Sequence, residues 1–488
     1  MSFLPNPEKR GAGILIVIIA GLFLITACEK EVIKEGNHSP VITDLSISGD
    51  SYTFGDTLTL TVVATDEDED ELTYTWSEAN DLGQFAATNT AEVQWIANFA
   101  VSANAIFKVV VSDGDMSTSG SDAVTITTAD NPEFYYVGSS TCKQCHESNY
   151  NDFINSGHPY KFNFVRNGVA PTYPDVVEAG RTLPLPDGAT SWNDILGVIG
   201  GFGWKARYVD KTGNVVGTAN STINTGGGQN QYNFFGGKDW GWANYHASDK
   251  KEYNYGCFRC HTTGAIDDGE WLTGIKGTFV FGGVQCERCH GPGSKHVSNG
   301  GGFIDEPTGA EVNSLCGECH YRNEDHSVAV SGGYIRHHEQ YDEFLYTKHY
   351  ASSLTCSSCH DPHKRVVWEG DGIKAECTSC HAGKTIATPH TSLECQSCHM
   401  AKMAKSAVAT VPGYQGDVHS HTFAIAADTT WNMYSDDGKT VRIGTDGLSK
   451  MSIANVCYGC HTDAAGGGGG GSVKTLLELQ TYVNSGIH

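Results

Sequence analysis

Eight short stretches of this chain hold two thiols and an imidazole at one fixed spacing. They read CKQCH from Cys142, CFRCH from Cys257, CERCH from Cys286, CGECH from Cys316, CSSCH from Cys356, CTSCH from Cys377, CQSCH from Cys395 and CYGCH from Cys457. The second cysteines are Cys145, Cys260, Cys289, Cys319, Cys359, Cys380, Cys398 and Cys460, so the eight copies consume sixteen of the seventeen cysteines. A single C-x-x-C serves redox dithiols, zinc ribbons and haem attachment alike. A disulfide framework gives no reason for a histidine after every second cysteine, and zinc ligands would mix Cys and His at looser spacings. Covalent haem c explains both features, because the thiols add to the porphyrin vinyl groups and the next residue brings an imidazole to the iron. The proximal ligands expected on this logic are His146, His261, His290, His320, His360, His381, His399 and His461.

The second axial position needs a further supply of imidazoles. Of the twenty-one histidines, eight are proximal, His38 lies far upstream and His488 is the last residue. Eleven remain for eight irons, enough for bis-histidine ligation throughout, and neutral imidazole suits iron. The strongest distal candidates are His158 in "SGHPYKF", His296 in "HGPGSKH", His349 in "KHYASSLTCSSCH", His363 in "CHDPHK", and His419 or His421 in "DVHSHTF", followed by His390. The neighbours His337 and His338 are ambiguous, since adjacent side chains rarely both reach one iron. Mostly bis-histidine ligation implies low potentials, because Met/His ligation is what raises them.

Elements must position this array, and composition divides the chain. Lys9 and Arg10 precede an apolar run that ends "LITAC", so residues 1–27 read as a signal peptide. The stretch before Cys28 resembles the bacterial lipobox, in which that cysteine is lipidated; an uncleaved anchor is the alternative reading. Residues 28–37 form a linker. Residues 38–130 contain no cysteine and several alternating Val/Ile/Thr-rich runs, such as "TLTLTVVAT", the pattern of an all-β immunoglobulin-like sandwich with Trp76 in its core. The acidic run 66–71 reads as a solvated turn or as a Ca2+ site, since clustered carboxylates suit a hard cation. Residues 137–464 are expected to form a mainly coil and α octahaem cytochrome domain, with a small β insert that includes a hairpin over 205–216 around "DKTG". A Gly-rich linker, 465–472, and a short helix within 473–488 complete the chain.

Two resemblances follow from these residues. "ATDEDEDELTYTWS" resembles a stretch of the PKD and cadherin-like modules of secreted bacterial proteins, which implies a spacer or adhesive stalk. "YVGSSTCKQCHESNYNDFINSGH", "YGCFRCHTTG" and "GVQCERCHGPGSKH" resemble the cytochrome family that includes the tetrahaem electron acceptor of hydroxylamine oxidoreductase and its octahaem relatives. The likeness covers most of 137–461 and specifies haem far more strongly than substrate. Members of that family range from electron carriers to oxidoreductases of small nitrogen or sulfur compounds. No C-x-x-C-K occurs, so the lysine-ligated haem of the nitrite reductase branch is absent, whereas hydroxylamine oxidoreductase itself uses an ordinary C-x-x-C-H at its active haem. An electron carrier is therefore favoured over a catalytic reductase, with one open-site haem as the alternative.

The formal charge of −24 argues against nucleic acid, which needs basic patches, and is compatible with redox partner proteins or extracellular electron acceptors. Export, a lipid anchor in the outer membrane or at the cell surface, and assembly into a homo-oligomer or filament complete the expectation.

Overall fold

The computed structural model describes residues 37–485 except 49–50, 53–56, 80–82, 98–102, 127–133, 175–181, 228, 236–237, 368–369, 389 and 462–470. The signal-peptide reading, Cys28 and most of the Gly-rich linker lie outside the described residues. Among those described, no helix is long and apolar enough to cross a membrane.

Alternation in the first third of the chain builds two four-stranded sheets. In the strand Thr57–Thr65 the side chains of Leu58, Leu60 and Val62 point inward and are buried. Period-two patterning requires this of a sheet with one covered face. That strand pairs antiparallel with Glu92–Ala97, setting Leu58 opposite Trp95 and Leu60 opposite Val93. In the second sheet Thr73–Glu78 pairs with Ala103–Ser112 and sets Trp76 opposite Val109. Trp76, Trp95 and Phe107 are buried in one core between the sheets, with Trp95 edge-on to Phe107 at 5.0 Å. Gly83 belongs here because any β-carbon would strike the Trp95 ring. The same core reaches Val280 and Phe281 in the cysteine-rich region.

The second region holds an antiparallel five-stranded sheet, in spatial order Lys238–Ala243, Gln231–Phe235, Lys205–Asp210, Ile195–Gly200 and Phe162–Phe164. The turn expected at "DKTG" forms, with the Gly213 amide donating to Asp210 O and the Asp210 amide to Asn214 O. Its return arm, however, is a lone bridge between Val209 and Val215. Lys205–Asp210 instead spends its edges on Ile195–Gly200 and Gln231–Phe235, because those runs offer longer matching ladders. Among the aromatics of this region, Trp204 stacks on Phe235 at 5.9 Å, whereas Trp240 is 42% exposed beneath the Lys238 ammonium.

Around this sheet the chain runs in loops punctuated by short helices, eight of them at the cysteine motifs and others, such as Glu147–Phe153 and Gln340–Leu345, between them. A separate helix, Leu476–Asn484, lies near the C-terminus, capped by Thr475 and Glu478 and docked through buried Leu479.

Candidate cofactor site

Each motif gains its geometry from a single helical turn. The amide of His146 donates to Cys142 O at 2.9 Å, and the same bond links His320 to Cys316, His360 to Cys356 and His381 to Cys377. A bond from residue i+4 to residue i places both cysteines and the histidine on one face, since 3.6 residues complete a turn. The motif helices include Cys286–His290, Cys356–Cys359, Cys377–Cys380, Cys395–His399 and Ile453–His461.

These helices neighbour one another in a continuous order. The Cys142 and Cys286 thiols lie close together, linking the first motif to the third. Cys260 and Cys319 link the second to the fourth, and Cys316 and Cys356 the fourth to the fifth. Cys289 lies close to Cys316, and Arg288 pairs with Glu318 at 2.7 Å across the third and fourth. Cys359 neighbours Cys380, Cys377 neighbours Cys395, and Cys398 neighbours Cys460. The motifs thus run 1, 3, 4, 5, 6, 7, 8, with the second branching from the fourth.

Six motif histidines face a second imidazole. Ring centroids are 6.0 Å apart for His146 and His296, 6.5 Å for His261 and His338, and 6.1 Å for His290 and His363. They are 6.0 Å apart for His381 and His349, 6.0 Å for His360 and His421, and 5.9 Å for His461 and His390. A metal–imidazole bond is roughly 2.0 Å, so two in line plus the half-width of each ring put the centroids about 6 Å apart. The pairs are therefore spaced to hold one iron each.

Several rings are also oriented. His290 Nδ1 lies 2.7 Å from Asp305 O, His399 Nδ1 2.8 Å from Phe423 O, His461 Nδ1 2.7 Å from Ser472 O and His296 Nδ1 2.9 Å from Gly302 O. A carbonyl only accepts, so Nδ1 carries the proton and Nε2 is left as the ligand atom. Burial holds His261 and His421 down to about 3, hence neutral and fit to bind metal.

Seven motif histidines, His146 to His399 in chain order, line one connected cavity of about 2790 Å3. That is several times the roughly 300–1,000 Å3 of an ordinary ligand pocket. Lys161, Lys205 and Arg207 line it too, and burial lowers all three. The Lys205 ammonium donates to Ser406 O and Arg207 to the Gln231 amide, so neither is bonded to a carboxylate there. A large apolar space ringed by paired imidazoles, thiols and half-buried cations fits haem, whose propionates would supply anions for those cations.

The remaining histidines divide. His338, which sequence left ambiguous, is the one opposite His261, while His337 lies against the Lys205 ammonium at 3.3 Å. Nothing in "IRHHEQY" distinguishes the two. His246 bonds Asp249 and His326 bonds Asp342, each through Nδ1. His419 Nδ1 meets Met400 O at 2.5 Å, beside His399. His158 lines the cavity, with His320 and His363 close enough to act on it. Lys161 neighbours both His158 and His320. The half-buried cations and the carboxylates Glu287 and Glu343 were not singled out from sequence, since isolated Lys, Arg and Glu carry no burial signal.

In the β region, Asp66, Asp68 and Asp70 hold carboxylate oxygens within 4.8 Å of one another, and Asp68 accepts from the His38 amide at 2.7 Å.

The array defines a c-type cytochrome carrying several haems. A family model described as cytochrome c554 and c-prime matches residues 241–291. Multiheme cytochrome MtrA of Shewanella baltica (strain OS185) is 28% identical over 224 residues, 43% of this chain and 53% of that protein, so the chain spans about half of that relative's length. Among solved structures, the outer cell wall cytochrome OcwA is similar at 19% identity and a TM-score of 0.43, over 72% of this chain and 86% of that one. These similarities, with the eight C-x-x-C-H motifs, support haem c held as in a multihaem cytochrome.

Proposed function

We propose that this protein is an octahaem cytochrome lipoprotein that carries electrons along one continuous path in respiratory or extracellular electron transfer. The observation that carries the reading is the unbroken order of adjacent motif helices from the first to the eighth, with the second as a side branch. The sixteen motif cysteines hold the eight haems. Six irons take the ring pairs described above, and His419, tied to Met400 beside His399, supplies the seventh distal ligand. The N-terminal two-sheet region acts as an immunoglobulin-like stalk between a lipid on Cys28 and the haems, at the outer membrane or cell surface. Ca2+ on Asp66, Asp68 and Asp70 is an accessory of that stalk, and a calcium titration that leaves its melting unchanged removes it. The partners are redox proteins or extracellular acceptors, reached singly or through a homo-oligomer or filament. The similarity to MtrA and the resemblance to the hydroxylamine oxidoreductase acceptor family support this assignment.

A second reading concerns the fourth haem. His320 is not in any of the six ring pairs described above, and His158 and Lys161 stand beside it. That iron, at the junction with the branch, is the candidate for an open position acting on a small nitrogen or sulfur compound. The test is carbon monoxide added to the anaerobically reduced protein. An unchanged spectrum supports the carrier alone; a change worth one haem in eight identifies a substrate-accessible iron, and replacing Cys316 and Cys319 by serine, which removes that haem, then abolishes it.

A further inference from the structure

The eighth site differs from the others in its surroundings. His461 and His390 stand apart from the large cavity, and both are touched by the same C-terminal segment. On one side, Ser472 O accepts from His461 Nδ1 at 2.7 Å, held in place as the Gly471 amide donates to Cys460 O and the Lys474 amide to His461 O. On the other, the Tyr482 ring meets His390 edge to face at 5.9 Å and 86°, and its hydroxyl donates to Thr388 O at 2.8 Å. Gln480 Nε2 donates to Ala427 O, and Leu479 is 6% exposed, so the helix is seated rather than loosely tethered.

We infer that residues 471–485 form a clamp on the eighth haem, with Tyr482 as a positioning residue for His390 and the Ser472 carbonyl setting the basicity of His461. This rests on the reading that His390 and His461 share one iron. A carbonyl that accepts from Nδ1–H strengthens the imidazole as a donor and favours ferric iron. Tyr482 holds the distal ring at 89° to the proximal one. The clamp thereby sets the potential of the haem at the end of the path, where electrons enter or leave.

The test compares full-length protein with a chain ending before Gly471 and with Tyr482→Ala and Tyr482→Phe. Haem content, a potentiometric titration and the low-spin EPR spectrum are recorded for each. With eight haems retained, truncation moves one haem of eight to higher potential and leaves seven in place. Tyr482→Ala alters the EPR signal of one crossed pair, and Tyr482→Phe keeps the ring and the signal. Unchanged titrations and spectra in both the truncated chain and Tyr482→Ala overturn the clamp. His390→Ala is the separate control on the ligand reading: it opens one iron to carbon monoxide if His390 is a ligand, and failure to do so overturns that reading instead.

Discussion

His290 and His363 lie with their rings within 3° of parallel at 6.1 Å, although 72 residues of chain, including the fourth and fifth motifs, run between them. His461 and His390 are held at the same separation but crossed at 89°, as are His381 and His349 at 88°. Ring orientation at iron governs the anisotropy of a low-spin ferric haem. The oxidised protein is expected to give two classes of low-spin EPR signal, a rhombic one from near-parallel pairs and a highly anisotropic one from crossed pairs. A single uniform class would show that the pairs do not ligate as placed.

His363 is predicted to occupy one axial position on the third haem. His363→Ala should leave haem content at eight and add one haem equivalent of carbon monoxide binding in the reduced protein. No gain in binding would place His363 off the iron.

On the proposed path, Cys377 and Cys380 hold the sixth haem between the fifth and the seventh. The double substitution to serine should lower the mass of the denatured protein by one haem. Stopped-flow reduction should then become biphasic, because the path is cut between the fifth and seventh haems. Monophasic reduction at the original rate would contradict a single continuous path.

Glu287 is 2% exposed and accepts from the amides of Val137, Gly138 and Gly293, tying the third motif to the entry of the first. Burial pushes its carboxyl up to about 7 against the pull of those three bonds. Glu287→Ala strands buried donors and should cost on the order of 3 kcal/mol, read as a lower denaturant midpoint with haem content unchanged. Glu287→Gln should cost less, because one oxygen still accepts.

Much of the site was legible because its chemistry fixes residue type and spacing. C-x-x-C-H is written within one helical turn, so His146 or His461 can be named from five letters. A distal partner is set by the route of the chain, and His296 or His363 could be singled out only where the local sequence was distinctive. His338 and His337 carry the same local signal, and only the neighbouring Lys205 separates them. The strand Thr57–Thr65 was readable from alternation, whereas the sheet over 162–243 was not, because two of its pairings, Phe162–Phe164 with Ile195–Gly200 and Lys205–Asp210 with Gln231–Phe235, join segments tens of residues apart around a turn that looks self-sufficient. Lys161, Lys205 and Arg207 were invisible because their partial burial is created by segments that come together only in the fold.

Each ring pair described here is separated in sequence by at least one foreign motif: His146 waits for His296 past the second and third, and His360 for His421 past the sixth and seventh. If the pairs ligate as proposed, a chain made from its N-terminus cannot finish its first coordination sphere until the third attachment sequence has been made, and each later sphere closes across loops already loaded. Maturation is then interlocked, so a stop between residues 146 and 421 strands an upstream haem with one bond missing. Quality control of such a protein can be exercised on the last segments to arrive.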